Sequence, residues 1–260
     1  MQVTVVGCSG SLPAPGNAAS CYLVEAGGTK LVLDVGSGAL GPLQAATSLT
    51  DVDAVVLSHL HPDHCMDLCG WYVFARYHPD VLRSGRPGPR LRVYGPSGTL
   101  ARLAGAYGGV GPEQMAAVFD VVELQDGETY QIGEMRFTVA RVAHPVEAYA
   151  TRVEHGGSSL AYSGDTGRSD ALVRLAADVD LLLCEASFLV GVDDEAPEGL
   201  HLTARDAGEH AARARARRVL LTHVPPWGDP VRALAQARSA YPGPLALARA
   251  GDVHQVRPRR

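Results

Sequence analysis

The order of elements along this chain predicts an α/β protein built as a four-layer αββα sandwich, two facing sheets with helices outside. Three observations carry that expectation. Apolar runs rich in β-branched residues come in two successive blocks, each block is followed by segments of helical pattern, and glycine or proline marks most of the joints. With 46% hydrophobic residues in 260, the chain can bury one large core. No Pro/Gly/Ser linker of the length that separates domains interrupts it, so residues 1–260 read as a single domain.

In chain order, Val3–Val6, Tyr22–Glu25, Leu31–Asp34 and Ala54–Leu57 read as strands, and Cys65–Tyr77 as a helix. Further strands are expected at Leu91–Tyr94, Val118–Leu124, Arg136–Val142, Ala148–Glu154, Ser159–Ser163, Leu181–Glu185 and Val219–Thr222. Helices are expected at Ser97–Ala106, Asp170–Ala176 and Ala204–Arg217. Thr203, with Asp206 three residues on, supplies an N-cap and capping-box start for the last. The stretch Gly105–Gly111 has no Lys-Ser/Thr of a phosphate loop and reads as a mobile loop, a lid or a subunit contact, which leaves a homodimer open.

Charge and composition narrow the function classes. A net charge of −5 argues against a nucleic-acid coat. Arg83, Arg86, Arg90 and Arg92, and again Arg213, Arg215, Arg217 and Arg218, read as solvated surface because no aromatics interleave them. The first residues lack a basic n-region, and no apolar run reaches transmembrane length, so no membrane partner is expected and the predicted location is cytoplasmic. Five cysteines form no CxxC pair and fit reduced, packed thiols.

The chemistry is concentrated in His59-Leu60-His61-Pro62-Asp63-His64, directly after the run Val52–Leu57. His59 and His61 alternate, so in an extended loop both side chains leave on one side and can share an ion. Asp63 and His64 lie beyond that turn and suit a second ion. His144 follows the run Met135–Ala143, Asp165 lies in Ser163-Gly164-Asp165-Thr166, and His223 closes Val219–Thr222. Taken singly, a histidine after a strand is an ordinary loop residue and a Gly-Asp is a turn. Each, however, ends an apolar run, where the loops of a layered α/β protein converge on one edge. Five histidines and two aspartates then suffice for two divalent ions sharing a bridging carboxylate. The expected metal is zinc, although the same nitrogen and oxygen donors accept manganese or iron.

These residues resemble the metallo-β-lactamase fold hydrolases over nearly the whole chain. HLHPDH, His144, the Asp165 of SGDT and His223 match that family's metal motifs in order, and Leu33-Asp34-Val35-Gly36 matches its early acidic motif. The resemblance implies His59, His61 and His144 on one ion, Asp63, His64 and His223 on the other, Asp165 between them, and Asp34 orienting the histidine loop. Leu183–Phe188 and His201–Ala204 look like the two extra motifs of the phosphodiesterase branch, which includes the ribonuclease Z-like tRNA 3′-processing endonucleases. There the glutamate, here Glu185, orients a histidine, here His201, that protonates the leaving oxygen. Without that context His201 reads as a loop histidine opening a helix. Cys184 stands where the branch often has histidine.

Phosphodiesters are poorly electrophilic. Two ions about 3.5–4 Å apart would deprotonate a water and grip the phosphoryl oxygens, Asp63 would take the remaining proton, and His201 would act as general acid. His144 and Asp165 are only 21 positions apart, which leaves no room for the protruding arm of the tRNA-processing enzymes. GCSGS, HPVEAY, SGDTG, LCEASF and THVPPW are most similar to an actinobacterial group of atypical class II cyclic-nucleotide phosphodiesterases. That resemblance implies a small nucleotide phosphodiester as substrate, cyclic AMP first, with tRNA second, a lactone third and an inert module last. Arg152 is a candidate to meet a phosphate oxygen and Trp227 to stack a base. Trp71, Tyr72 and Phe74 read as helix packing against a sheet.

Overall fold

The computed structural model describes residues 1–79, 83 and 90–258; Arg86 of the first arginine run lies outside them. The strands are β1 (Gln2–Ser9), β2 (Ala18–Ala19), β3 (Cys21–Ala26), β4 (Thr29–Leu33), β5 (Ala54–Val56), β6 (Leu91–Gly95), β7 (Phe119–Glu123) and β8 (Thr129–Ile132). They continue as β9 (Met135–Arg141), β10 (Tyr149–His155), β11 (Ser158–Tyr162), β12 (Leu181–Glu185), β13 (Val219–Thr222), β14 (Leu245–Leu247) and β15 (Val253–Gln255). One sheet has the order β15-β1-β3-β4-β5-β6-β7, with β2 beside β1; the other has the order β14-β13-β12-β11-β10-β9-β8.

Alternation along the strands assigns the layers. Val3, Val5, Tyr22, Val24, Leu31 and Leu33 of the first sheet pack with Phe137, Val139, Leu160, Tyr162, Leu181 and Leu183 of the second in a core between the sheets. Leu23, Val32, Val55 and Val93 face outward, onto Leu43, Leu68, Trp71 and Leu103 of the helices over the first sheet. Ala161, Leu182 and Leu221 do the same beneath Leu172, Ala207 and Ala237 of the helices over the second. Strands buried on both faces read as unbroken apolar runs, which is why they were legible. The αββα order is therefore observed as expected, and Trp71 and Tyr72 are buried.

Both sheets are mixed. Strands β4 to β7 and β11 to β14 run parallel within their sheets, while β9 and β11 are both antiparallel to β10 and so point the same way. Their C-terminal loops gather on one edge.

Several boundaries differ from expectation. The Cys65–Tyr77 helix is two helices, Pro62–Cys65 and Leu68–Tyr77; Asp67 between them accepts from the amides of Gly38 (3.1 Å) and Leu40 (2.8 Å). The last predicted helix stops at Arg213, because Arg215 turns into the left-handed region (φ 52°). Gly105 and Tyr107 belong to the helix Thr99–Tyr107 and not to a loop. Helices Leu40–Ala46, Pro112–Ala116 and Pro230–Ala240, and strands β8, β14 and β15, had no sequence expectation. No described helix is long and apolar enough to cross a membrane.

Candidate metal centre and active site

The histidine loop follows β5 and is held from two sides. Asp34, in the left-handed region (φ 58°) after β4, accepts from the Ser58 amide (2.7 Å), the Ser58 hydroxyl (2.7 Å) and the Tyr162 hydroxyl (2.8 Å). Gly36 lies so close to the Asp63 carbonyl that any side chain at 36 would collide with backbone. Pro62 then starts a short helix that turns Asp63 and His64 inward.

Two groups of donors result. His59 Nε2 lies 3.0 Å from His61 Nδ1, which is 3.3 Å from His144 Nε2. In the second group, His223 Nε2 lies 3.1 Å from both His64 Nε2 and Asp63 Oδ2. Asp165 stands between the groups, with Oδ2 3.7 Å from His59 Nε2 and Oδ1 3.3 Å from His64 Nε2. The ligand atoms within each group lie within 4.8 Å of one another, so each could hold an ion. The structure thus brings all seven sequence-named ligand residues together.

The fit to cations can be tested on the protons. Four rings place Nδ1 against an oxygen: His59 on Ser58 Oγ (3.0 Å), His64 on Asp34 Oδ2 (2.7 Å), His144 on the Leu200 carbonyl (2.9 Å) and His223 on Ser187 Oγ (2.9 Å). Those acceptors assign a proton to Nδ1 and turn the Nε2 atoms of these rings toward one another, an arrangement that suits a cation among them. Asp165 Oδ1 makes the same point. It is buried, and neither nearby imidazole gives it a properly directed hydrogen bond.

Charge follows packing. Burial drives His59 well below the ordinary imidazole value, and it is also the main cause of the lowered His61 and His144. These three are neutral and able to ligate at neutral pH. Burial also opposes charging of His64, but Asp165 and Asp34 outweigh it and raise this imidazole well above its ordinary value, so an ion held there would displace the proton on its Nε2. Asp63 and Asp165 sit below the usual carboxylate range in spite of burial, because both lie against the imidazoles of His64 and His223.

Beside this centre Glu185, at the end of β12, is fully buried and places Oε1 3.2 Å from His201 Nδ1. Burial opposes charging of His201, but the Glu185 carboxylate outweighs it and raises this imidazole to about 9. His201 Nδ1 is also 3.8 Å from Asp165 Oδ2. Sequence reasoning missed two serines. Ser58 donates to Asp34 while its oxygen faces His59, and Ser187 donates to Glu185 Oε2 (2.7 Å) while its oxygen faces His223. Each carboxylate thereby orients a ligand imidazole through a hydroxyl.

Arg152 is a correction. Its guanidinium donates to the Leu175 (3.0 Å) and Ala177 (2.8 Å) carbonyls and pairs with Glu154 (3.1 Å). It lies on the helix-facing side of β10, and it caps the Asp170–Leu175 helix instead of meeting a phosphate. Trp227 is 69% exposed, on a cavity that His201 also lines.

Comparison with known proteins identifies the family. Residues 29–224 match the model of the β-lactamase superfamily domain. An uncharacterized protein of Mycobacterium leprae is 42% identical over 98% of this chain and 89% of its own length. The probable metallo-hydrolase YhfI of Bacillus subtilis is 30% identical over 97% of this chain and 99% of its own; its crystal structure covers 97% of this chain and 98% of its own at a TM-score of 0.85. A ribonuclease Z of Myxococcus xanthus is 28% identical over 95% of each chain. The chain belongs to the β-lactamase superfamily and carries the metallo-β-lactamase fold.

Proposed function

We propose that this metallo-hydrolase is a dinuclear, zinc-dependent phosphodiesterase acting on a nucleotide phosphodiester, cyclic AMP foremost. The observation that carries the reading is the Glu185–His201 pair, 3.2 Å apart and within 3.8 Å of the carboxylate common to both donor groups. A thioester expels a weakly basic thiolate that requires no strong general acid, whereas an unactivated alkoxide does.

When bound, the two ions supply Lewis acidity, neutralising charge on the phosphoryl oxygens and making a water more acidic. His59, His61 and His144 would hold one, Asp63, His64 and His223 the other, and Asp165 would serve both. The attacking water forms the new bond to phosphorus and gives its proton to Asp63. As the bond to the leaving oxygen breaks, His201 hands that oxygen the proton on Nε2, because Nδ1 is engaged by Glu185. Buried carboxylates on both sides keep the imidazoles in register and need no rearrangement during the step.

A tRNA 3′-end endonuclease is the second reading, favoured by the ribonuclease Z likeness. Against it, that alignment runs over 300 residues while using 95% of a 260-residue chain, so the relative carries segments this one lacks. Incubating the zinc-loaded chain with cyclic AMP and with a 3′-extended tRNA precursor separates them. The expected result is 5′-AMP and intact RNA; cleavage of the RNA alone overturns the proposal.

A further inference from the structure

A cavity of about 280 Å³ opens beside His201, walled by Phe188, Leu189, Asp193, Trp227 and Arg232. His201 is one of its lining residues. The Phe188 ring stands edge-on to the His201 ring at 5.1 Å, and the preceding Ser187 holds His223. Whatever fills the cavity therefore lies against His201.

The cavity is preformed. The Val190 amide donates to Gln236 Oε1 (3.0 Å) and Gln236 Nε2 donates back to the Val190 carbonyl (2.9 Å), which ties the wall after β12 to the helix Pro230–Ala240. The Gly228 amide closes a turn on the Pro225 carbonyl (2.8 Å) and so fixes the backbone that presents Trp227. Trp227 and Val192 both line this cavity, and their apolar surfaces are 69% and 55% exposed.

The cavity's two carboxylates, Asp193 and Asp229, complement donors. Asp193 Oδ2 accepts from the Leu189 amide (2.8 Å), which holds the carboxylate in place and leaves Oδ1 to a ligand. Asp229, exposed at the rim, is fixed in the same way by the Val231 and Arg232 amides (both 3.0 Å). An aromatic face, an edge-on ring and a held acceptor recognise a flat heterocycle bearing an amino group. The volume, at the small end for ligand pockets, suits one ring system and its sugar and not an RNA arm.

We propose that this cavity seats the base of the leaving nucleoside, an amino-bearing purine stacked on Trp227 with Asp193 accepting from its exocyclic amine. The assignment rests on the phosphodiesterase reading above and names the moiety that reading leaves open.

Two variants of the zinc-loaded chain, Trp227→Ala and Asp193→Asn, test it with cyclic AMP, with cyclic IMP, which has an oxo group in place of the amine, and with bis(p-nitrophenyl) phosphate, which has no base. Trp227→Ala is expected to raise KM for cyclic AMP about tenfold, the loss falling on KM more than kcat and exceeding that on the nitrophenyl ester. Asp193→Asn is expected to narrow the preference for cyclic AMP over cyclic IMP. Tryptophan fluorescence quenched by 5′-AMP in the wild type, and not in Trp227→Ala, reads the pocket without turnover. If the wild type binds 5′-AMP through Trp227 yet hydrolyses no cyclic nucleotide, the base pocket stands and the phosphodiesterase reading falls. If Trp227→Ala hydrolyses cyclic AMP with wild-type KM, the pocket is overturned and the reading stands.

Discussion

The two donor groups of the centre differ in both charge and exposure. His59, His61 and His144 are all imidazoles, and two of the three reach solvent; Asp63, His64, Asp165 and His223 are all buried and include two carboxylates. The first group offers neutral nitrogens, the second two negative charges out of water. A cation in the second group is therefore held by charge as well as by coordination, while the first lies open to water and substrate. If both groups take an ion, the same fold edge would build one tightly held and one exchangeable position from adjacent loops.

Metal removal has the largest expected effect. A strong chelator abolishes turnover, and a graded titration removes one equivalent from the His59, His61 and His144 group well before the other. Loss of both in a single step would break the asymmetry.

His201→Ala comes next. Turnover falls roughly 10²–10⁴-fold for alkyl leaving groups and much less for p-nitrophenol. The pH profile sharpens the point. His201 acts in its protonated form, and Glu185 holds it near 9, so the rate that depends on it persists through neutrality and falls as pH rises through about 9. Glu185→Gln shifts that fall toward the ordinary imidazole value; an unmoved profile removes His201 from the proton path.

Asp34→Asn probes what couples the groups, since Asp34 holds His64 directly and His59 through Ser58. Affinity at both positions is expected to fall about 10–100-fold, measured by competition with a metal indicator. A drop confined to one position would show that the Ser58 hydroxyl carries no orientation to His59.

Arg152→Ala is the smallest effect and tests the corrected assignment. Turnover of cyclic AMP stays at the wild-type level while thermal unfolding shows a loss of about 1 kcal/mol, from carbonyls at the end of the Asp170–Leu175 helix that lose a charged donor. A large rise in KM would restore Arg152 to the site.

What was legible in the sequence was what is chemically rare. Histidines at strand ends have few ordinary reasons to crowd, so the seven candidate ligand residues could be named before any geometry, whereas Asp34 and the Glu185–His201 pair were named only through the family resemblance. Ser58 and Ser187 could not, because serine is common and their roles depend on partners brought close only by folding, Asp34 for one and His223 for the other. Arg152 was misread although a signal existed. Val153 packs between the sheets and Ala150 beneath the helices, so strand alternation sends position 152 to the helix side, away from the centre. The break in Cys65–Tyr77 was hidden because Asp67 answers to amides in another loop, at Gly38 and Leu40.

The central claim is that separate strand ends make one cage for two cations sharing Asp165. Elemental analysis of the zinc-reconstituted chain beside Asp165→Ala tests it most directly. Two equivalents per chain in the wild type, with loss from both positions in the variant, is the predicted result. One equivalent or none in the wild type, or full occupancy without Asp165, would contradict it.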